Sequence, residues 1–201
     1  MADKGLLFVF AECGPDVKED EFNDWYDNEH APLRLTVPGI SNAVRYKAAD
    51  DKAPSWVAMY DTLYPSIMDG AAYKALASTA SDRERALIPR LAMLNRRVYL
   101  HISTQVSFSS IMNTTPAKYL GVVTLSVPPD LCEEFDEWYE REFVSGVELG
   151  KPQKESTAKH NYLALHDWSR DDHPLLTSSW RPEVERSARR FVLHKNIERP
   201  S

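Results

Sequence analysis

Cysteine is scarce in this chain. Cys13 and Cys132 are its only two among 201 residues, and they stand too far apart for a C-x-x-C pair or a zinc-ligand spacing. A disulfide framework and a structural zinc site therefore lack support, and reduced, structural thiols are the expectation. Glycine is also sparse, with seven residues, none of them arranged as G-x-G-x-x-G, G-x-S-x-G or a phosphate loop. Dinucleotide binding and serine-nucleophile chemistry have no motif here. The apolar run near the start, Leu6 to Ala11, is too short for a secretory core or a membrane span, so a cytoplasmic protein without membrane contact is expected. The net charge is -6 with no basic stripe, which argues against nucleic acid as a partner. A small, uncharged or weakly anionic molecule is the expected partner, and a homodimer is an allowed assembly.

What the chain does contain is repetition. Hydrophobic residues at 43% and charged residues at 27% describe a globular protein with enough apolar side chains for a sizeable core. The stretches "EFNDWYDNEH" and "EFDEWYEREF" write one helix twice, and "RRVYLH" recurs as "RRFVLH". Each Trp-Tyr helix follows a β-branched, apolar strand and a Pro-Asp turn: Leu6 to Cys13 in the first copy, Tyr119 to Val127 in the second. Pro32 is expected to end the first helix. "ISNAVRYKA" and "SWVAMYD" then read as strands, Ala71 to Asn95 as two helical pieces, and "RRVYLHIS" as a fourth strand. The order β-α-β-β-α-β is the ferredoxin-like unit. The second copy repeats it with "NYLALHDW" and "RRFVLHKN", but its second strand must lie in "VSGVELGKPQKESTAKH", a run too polar to predict a full strand. The expected division is a first repeat over 1–106, a Ser/Thr-rich linker over 107–118 and a shortened, degenerate second repeat over 119–201.

The segment "FNDWYDNEHAPLRLTVPGISNAVRY" resembles the helix-to-strand signature of the dimeric α/β-barrel superfamily, in its EthD-like branch. An acidic residue, His30 and Pro32 there precede a Val-Pro-Gly turn. The resemblance implies an α+β fold in which two ferredoxin-like sheets enclose a barrel, with one chain here supplying both. The second half departs from the signature: Phe143 stands where His30 would recur, and no Val-Pro-Gly follows.

Strand alternation separates the side chains into two faces. One face of the third strands is aliphatic, Val57 with Met59 and Leu163 with Leu165, and is expected to pack under helices. The other carries Trp56, Ala58 and Tyr60, or Tyr162, Ala164 and His166, and is expected to line the barrel interior. The fourth strands add Tyr99 with His101, and His194. A pocket walled by Tyr46, Trp56, Tyr99, His101 and Tyr162 would suit a flat apolar ligand with a few oxygens.

His30 shares a helical face with Tyr26, at the i and i+4 positions. The end of a helix would favour its protonated form. Because Phe143 closes the equivalent face, packing alone does not demand an imidazole, and His30→Phe is expected to cost no more than about 1.5 kcal/mol. His30, Tyr60 and His166 are the candidate acid/base residues. Tyr26 and Arg34 are candidates for substrate binding, with Arg45 a further cation that could pair a carboxylate or enolate. "HDWSRDDH" has ligand-type residues without metal spacing, and no metal site is expected. The resemblance implies cofactor-independent proton chemistry beside a carbonyl, as in polyketide cyclases, dehydratases, isomerases and decarboxylases. Its alternatives are a ligand-binding or stress-response barrel and a haem-dependent oxidoreductase.

Overall fold

The computed structural model describes residues 4–105, 116–142, 147–152, 162–168, 181 and 184–199. Most of the expected linker, Phe143 and the run after Trp168 lie outside these residues. The first repeat comprises β1 (Gly5–Glu12), α1 (Glu19–Trp25), a π-helical turn (Tyr26–His30), α2 (Ala31–Leu35), β2 (Ala43–Ala48), β3 (Trp56–Thr62), α3 (Ala71–Ser78), α4 (Asp82–Leu87) and β4 (Met93–Gln105). The second comprises β5 (Tyr119–Ser126), α5 (Cys132–Glu142), β6 (Val147–Pro152), β7 (Tyr162–Trp168) and β8 (Glu185–Ile197). Among the described residues no helix is long and apolar enough to cross a membrane.

The strands hydrogen-bond in the closed order β1-β3-β2-β8-β5-β7-β6-β4, antiparallel throughout. Each repeat contributes its four strands in the ferredoxin-like order 4-1-3-2. The sheets close on each other reciprocally: β2 pairs with β8, as Tyr46 with Leu193, and β4 pairs with β6, as Leu100 with Lys151. The fold is thus a single-chain barrel of the dimeric α/β type. Its second repeat is shorter, yet β6 has six residues, the same as β2. The second strand was expected within 144–160, and β6 forms there through ladder bonds to β4 on one side and β7 on the other. The part of that run beyond Pro152 lies outside the described residues.

Closure decides which face is inside, and it reverses the sequence expectation. Leu6, Phe8, Val44, Tyr46, Val57, Tyr99, Leu120, Val122, Leu163, Leu165 and Phe191, drawn from both repeats, form one buried cluster. Only the barrel interior brings those strands together. Trp56, Ala58 and Tyr60 instead pack outward with Phe22, Trp25, Tyr26 and Leu35 of the helical layer, and Tyr162 and Ala164 do likewise with Phe135 and Tyr139 of α5. An eight-stranded barrel is just wide enough to be filled by side chains. The aliphatic faces fill it, while the aromatic and polar faces meet helices that carry rings and charged partners of their own.

The first helix does not stop at Pro32. It widens into the π turn, where the Ala31 amide donates to the Tyr26 carbonyl, and then resumes with Pro32 in the first turn of α2. Proline lacks an amide and its ring crowds the carbonyl one turn back. One wider turn accommodates both defects, and such insertions are frequent at functional sites. The Val-Pro-Gly turn follows, with Gly39 at a φ of 92°, a conformation that favours glycine. A Cβ there would also come within 2.4 Å of Ile67 Cδ1. Phe191, with no exposed surface, plugs the interior between β5 and β2. Phe191→Ala should destabilise the fold by about 3–5 kcal/mol in urea unfolding; a loss below about 1 kcal/mol would show an interior that is not close-packed.

Candidate functional site

His30 is the last residue of the π turn and is 1% exposed. Its ring lies between those of Trp25 and Tyr26, with centroids 4.3 and 4.7 Å away. Nδ1 is 3.2 Å from Glu84 Oε2, and Glu84 Oε1 is 3.7 Å from Arg34 Nη2. Arg34 Nη1 donates to the His30 carbonyl at 2.8 Å, so the arginine braces the histidine from both ends. The Trp25 indole N–H is buried without a hydrogen bond of normal geometry, close enough to Glu84 to help lower its pKa.

Sequence reasoning missed Glu84, although a signal was present. "SDRE", Ser81 to Glu84, has the pattern of a helix capping box, and Ser81 does cap α4 by accepting from the Glu84 amide at 3.0 Å. In that motif the glutamate reaches back to the backbone of the cap residue. Here its carboxylate turns instead to an imidazole more than fifty residues away in sequence.

Burial, reinforced by the Arg34 charge, pushes the His30 pKa down to about 3 despite Glu84. Burial works to raise Glu84, but the His30 hydrogen bond and the Arg34 charge bring it below the ordinary carboxylate range. A neutral imidazole beside an ionised carboxylate fixes the tautomer by hydrogen-bond logic: Nδ1 carries the proton and donates it, leaving Nε2 as a lone-pair base. The expectation of a protonated helix-end histidine fails because the helix continues past His30, so the carbonyls there are already bonded.

Tyr60 donates to the Tyr26 hydroxyl at 3.1 Å, and burial raises both phenols, keeping them neutral donors. Arg45, 1% exposed, is no free cation. Its guanidinium lies 4.4 Å over the Tyr26 ring and 4.6 Å over Trp56, paired with Asp27 and bonded to Asn23 at 2.8 Å. Asp27 also meets His194 Nε2 at 3.2 Å and Lys195 at 3.5 Å, tying β8 of the second repeat to the first helical layer.

His30, Tyr26, Tyr60, Arg34 and Trp56 therefore gather on one side of the first sheet, but not in the barrel interior. His166 and Tyr162 occupy the equivalent side of the second sheet. His166 Nε2 lies 3.2 Å from the Tyr139 hydroxyl, as Tyr60 meets Tyr26, and Tyr162 packs on Phe135 at 4.6 Å. Tyr46 and Tyr99 are inside the barrel, Tyr46 donating to the Ala117 carbonyl at 3.1 Å. His101 is half-buried on β4, where burial and nearby Lys4 lower its pKa. His194 is on the helical side, so the two fourth-strand histidines do not share a pocket. The candidates fall in three places, and the single wall of Tyr, Trp and His does not form.

Among the described residues no cluster of His, Cys, Asp and Glu is arranged to hold a metal ion. His30 and His166, on the helical sides of the two sheets, are 1% and 3% exposed, and a cleft of about 200 Å³ at one end of the barrel has no histidine in its wall.

The buried pair predicts an acid-sensitive fold. A histidine with its folded pKa lowered binds fewer protons than in the unfolded chain, so its contribution weakens as pH falls below about 6.5 and continues to fall toward the folded value. Nitrogen-detected NMR of the His30 ring should show the neutral Nδ1–H form still dominant at pH 5. A titration midpoint near pH 6.5 would contradict the burial and tautomer described above. His30→Phe, expected to be mild, would now leave Glu84 buried with only Arg34 for company. Its cost should reach the about 1.5–3 kcal/mol of a lost hydrogen bond to a buried charged group rather than stay within that of a volume-conserving swap.

No family model matches the sequence, and no curated protein matches it. Solved structures do resemble it in fold. A proposed monooxygenase of Fusobacterium nucleatum subsp. nucleatum superposes with a TM-score of 0.55 at 13% identity, covering 98% of this chain and 95% of that one. A proposed monooxygenase of Lactobacillus acidophilus gives 0.59 at 8% identity, covering 98% and 96%. An anthrone oxidase-like protein gives 0.63 at 9% identity, covering 98% and 94%. At these identities the likeness establishes the dimeric α/β-barrel fold of this chain over nearly its whole length.

Proposed function

We propose that the protein is an acid/base enzyme of the EthD-like kind that acts on a flat aromatic or polyketide-like carbonyl compound. The observation that carries this reading is the His30–Glu84 pair: a neutral imidazole held in one tautomer by a buried carboxylate, with Arg34 behind it. Nε2 removes a proton from a carbon beside the carbonyl. The imidazolium that results is stabilised by Glu84, and the neutral phenol of Tyr26, whose oxygen accepts from Tyr60, donates its proton to the enolate oxygen. In this reading the substrate enters by displacing α3, which buries none of its side chains fully and packs Tyr73 against the cluster that holds Tyr26.

The solved structures of similar fold favour a second outcome for the same first step. Those described as monooxygenases and as anthrone oxidase-like suggest that the carbanion meets dioxygen instead of being reprotonated. Anthrone distinguishes the two. Under nitrogen in D₂O, proton abstraction appears as deuterium exchange at its methylene carbon; in air, oxygenation yields anthraquinone and water. The parent should exchange anthrone faster than buffer, and His30→Asn should lose about a hundred- to ten-thousand-fold of that rate. Exchange no faster than buffer in the parent, or an undiminished rate in a folded His30→Asn protein, would contradict the reading.

A further inference from the structure

A second place in the molecule has the chemistry of a ligand site and is independent of His30. At the end of the barrel where β4 begins, the interior opens into a cleft of about 200 Å³ whose walls include Phe10, Asn95, Arg97, Thr124, Ser187 and Arg189. The two arginines are in opposite states. Arg189, 9% exposed, is fully committed: it forks onto Asp50 at 2.7 and 2.9 Å and donates to the carbonyls of Pro54 and Lys52. It is a strut that fixes the loop before β3.

Arg97 has no such anchor. Among the described residues its guanidinium bonds only neutral groups, the Asn95 side chain at 3.1 Å and the Tyr99 hydroxyl at 3.5 Å, and stacks 5.6 Å from the Phe10 ring. Among the described residues no carboxylate lies within ion-pair distance of it, in a chain with a net charge of -6. Thr124 lines the same cleft, is 4% exposed, and has no hydrogen bond to its hydroxyl among the described residues. The cleft therefore holds an uncompensated cation, an unused hydroxyl and an aromatic wall.

We propose that this barrel-end cleft binds a small aromatic carboxylate, its carboxylate on Arg97 and its ring against Phe10. The volume sets the size: a cavity of about 150 Å³ holds one benzene ring, and drug-sized ligands need roughly 300 Å³ or more. One ring with a carboxylate fits, whereas a fused polycycle does not. A planar guanidinium engages a carboxylate through two parallel bonds, so a neutral amide of the same shape is rejected.

The test is ¹⁹F NMR with 4-fluorobenzoate as the probe and 4-fluorobenzamide as its neutral counterpart. Benzoate should bind the parent, and the amide at least about tenfold more weakly, as expected when a charge-assisted pair is lost. Arg97→Gln should weaken benzoate by a similar factor. Ser187→Trp, at an exposed rim position, should block the cleft and abolish binding without touching the core, which covers the case in which Arg97→Gln does not fold. Tyr60→Phe, on the other side of the sheet, should leave benzoate affinity unchanged. Benzoate binding that survives both Arg97→Gln and Ser187→Trp, that is lost in Tyr60→Phe, or that is absent from the parent at millimolar probe would overturn the proposal.

Discussion

Closure of the two sheets on each other is the constraint from which the rest of this structure follows. A ferredoxin-like sheet leaves two edges unpaired and one apolar face open, both unfavourable in water. Pairing β2 with β8 and β4 with β6 removes the edges, and the joined faces become one interior. Because that interior is narrow, it takes aliphatic side chains and a few aromatic plugs. Trp56 and the histidines His30 and His166, with Tyr60 and Tyr162, are left to the outer faces, where the helices satisfy them.

That sorting places the candidate site. On the outside of the first sheet the helical layer brings a carboxylate from α4, a guanidinium from α2 and rings from α1 to one imidazole. The second sheet has the same frame with other contents: Tyr139 meets His166 where Tyr26 meets Tyr60, and Phe135 meets Tyr162 where Phe22 meets Trp56. The two repeats thus share one scaffold. In sequence, the residue aligned with His30 is Phe143, and the second copy carries its imidazole at His166, where the first has Tyr60.

The element order and the doubled architecture were legible in the chain because they depend on local pattern: alternation, turn residues and the repeated Trp-Tyr helix. Facing was not. Alternation shows that Val57 and Tyr60 point to opposite sides, but a period of two does not say which side is enclosed; closure of the whole barrel decides that. The π turn was hidden for a similar reason. Pro32 signals a defect in the helix, and only packing of the next turn determines whether the helix breaks or widens. Glu84 was visible as a helix-start residue, and its true partner lies across the fold. His30, Tyr26 and Arg34 could be named together because they sit on one periodic helical stretch, whereas Tyr60 was assigned to the barrel interior and joins them only through the facing that closure sets.

The central claim is that His30 Nε2, oriented through Glu84, faces the reacting carbon of a substrate held beneath α3. A crystal structure with a non-oxidisable anthrone analogue that carries an N–H in place of the reactive methylene tests it most directly. The analogue should sit between α3 and the first sheet, its N–H donating to Nε2 within about 3.2 Å and the Nδ1–Glu84 bond intact. An analogue seated elsewhere, with His30 still enclosed by Trp25 and Tyr26, would contradict it and leave the imidazole a buried strut.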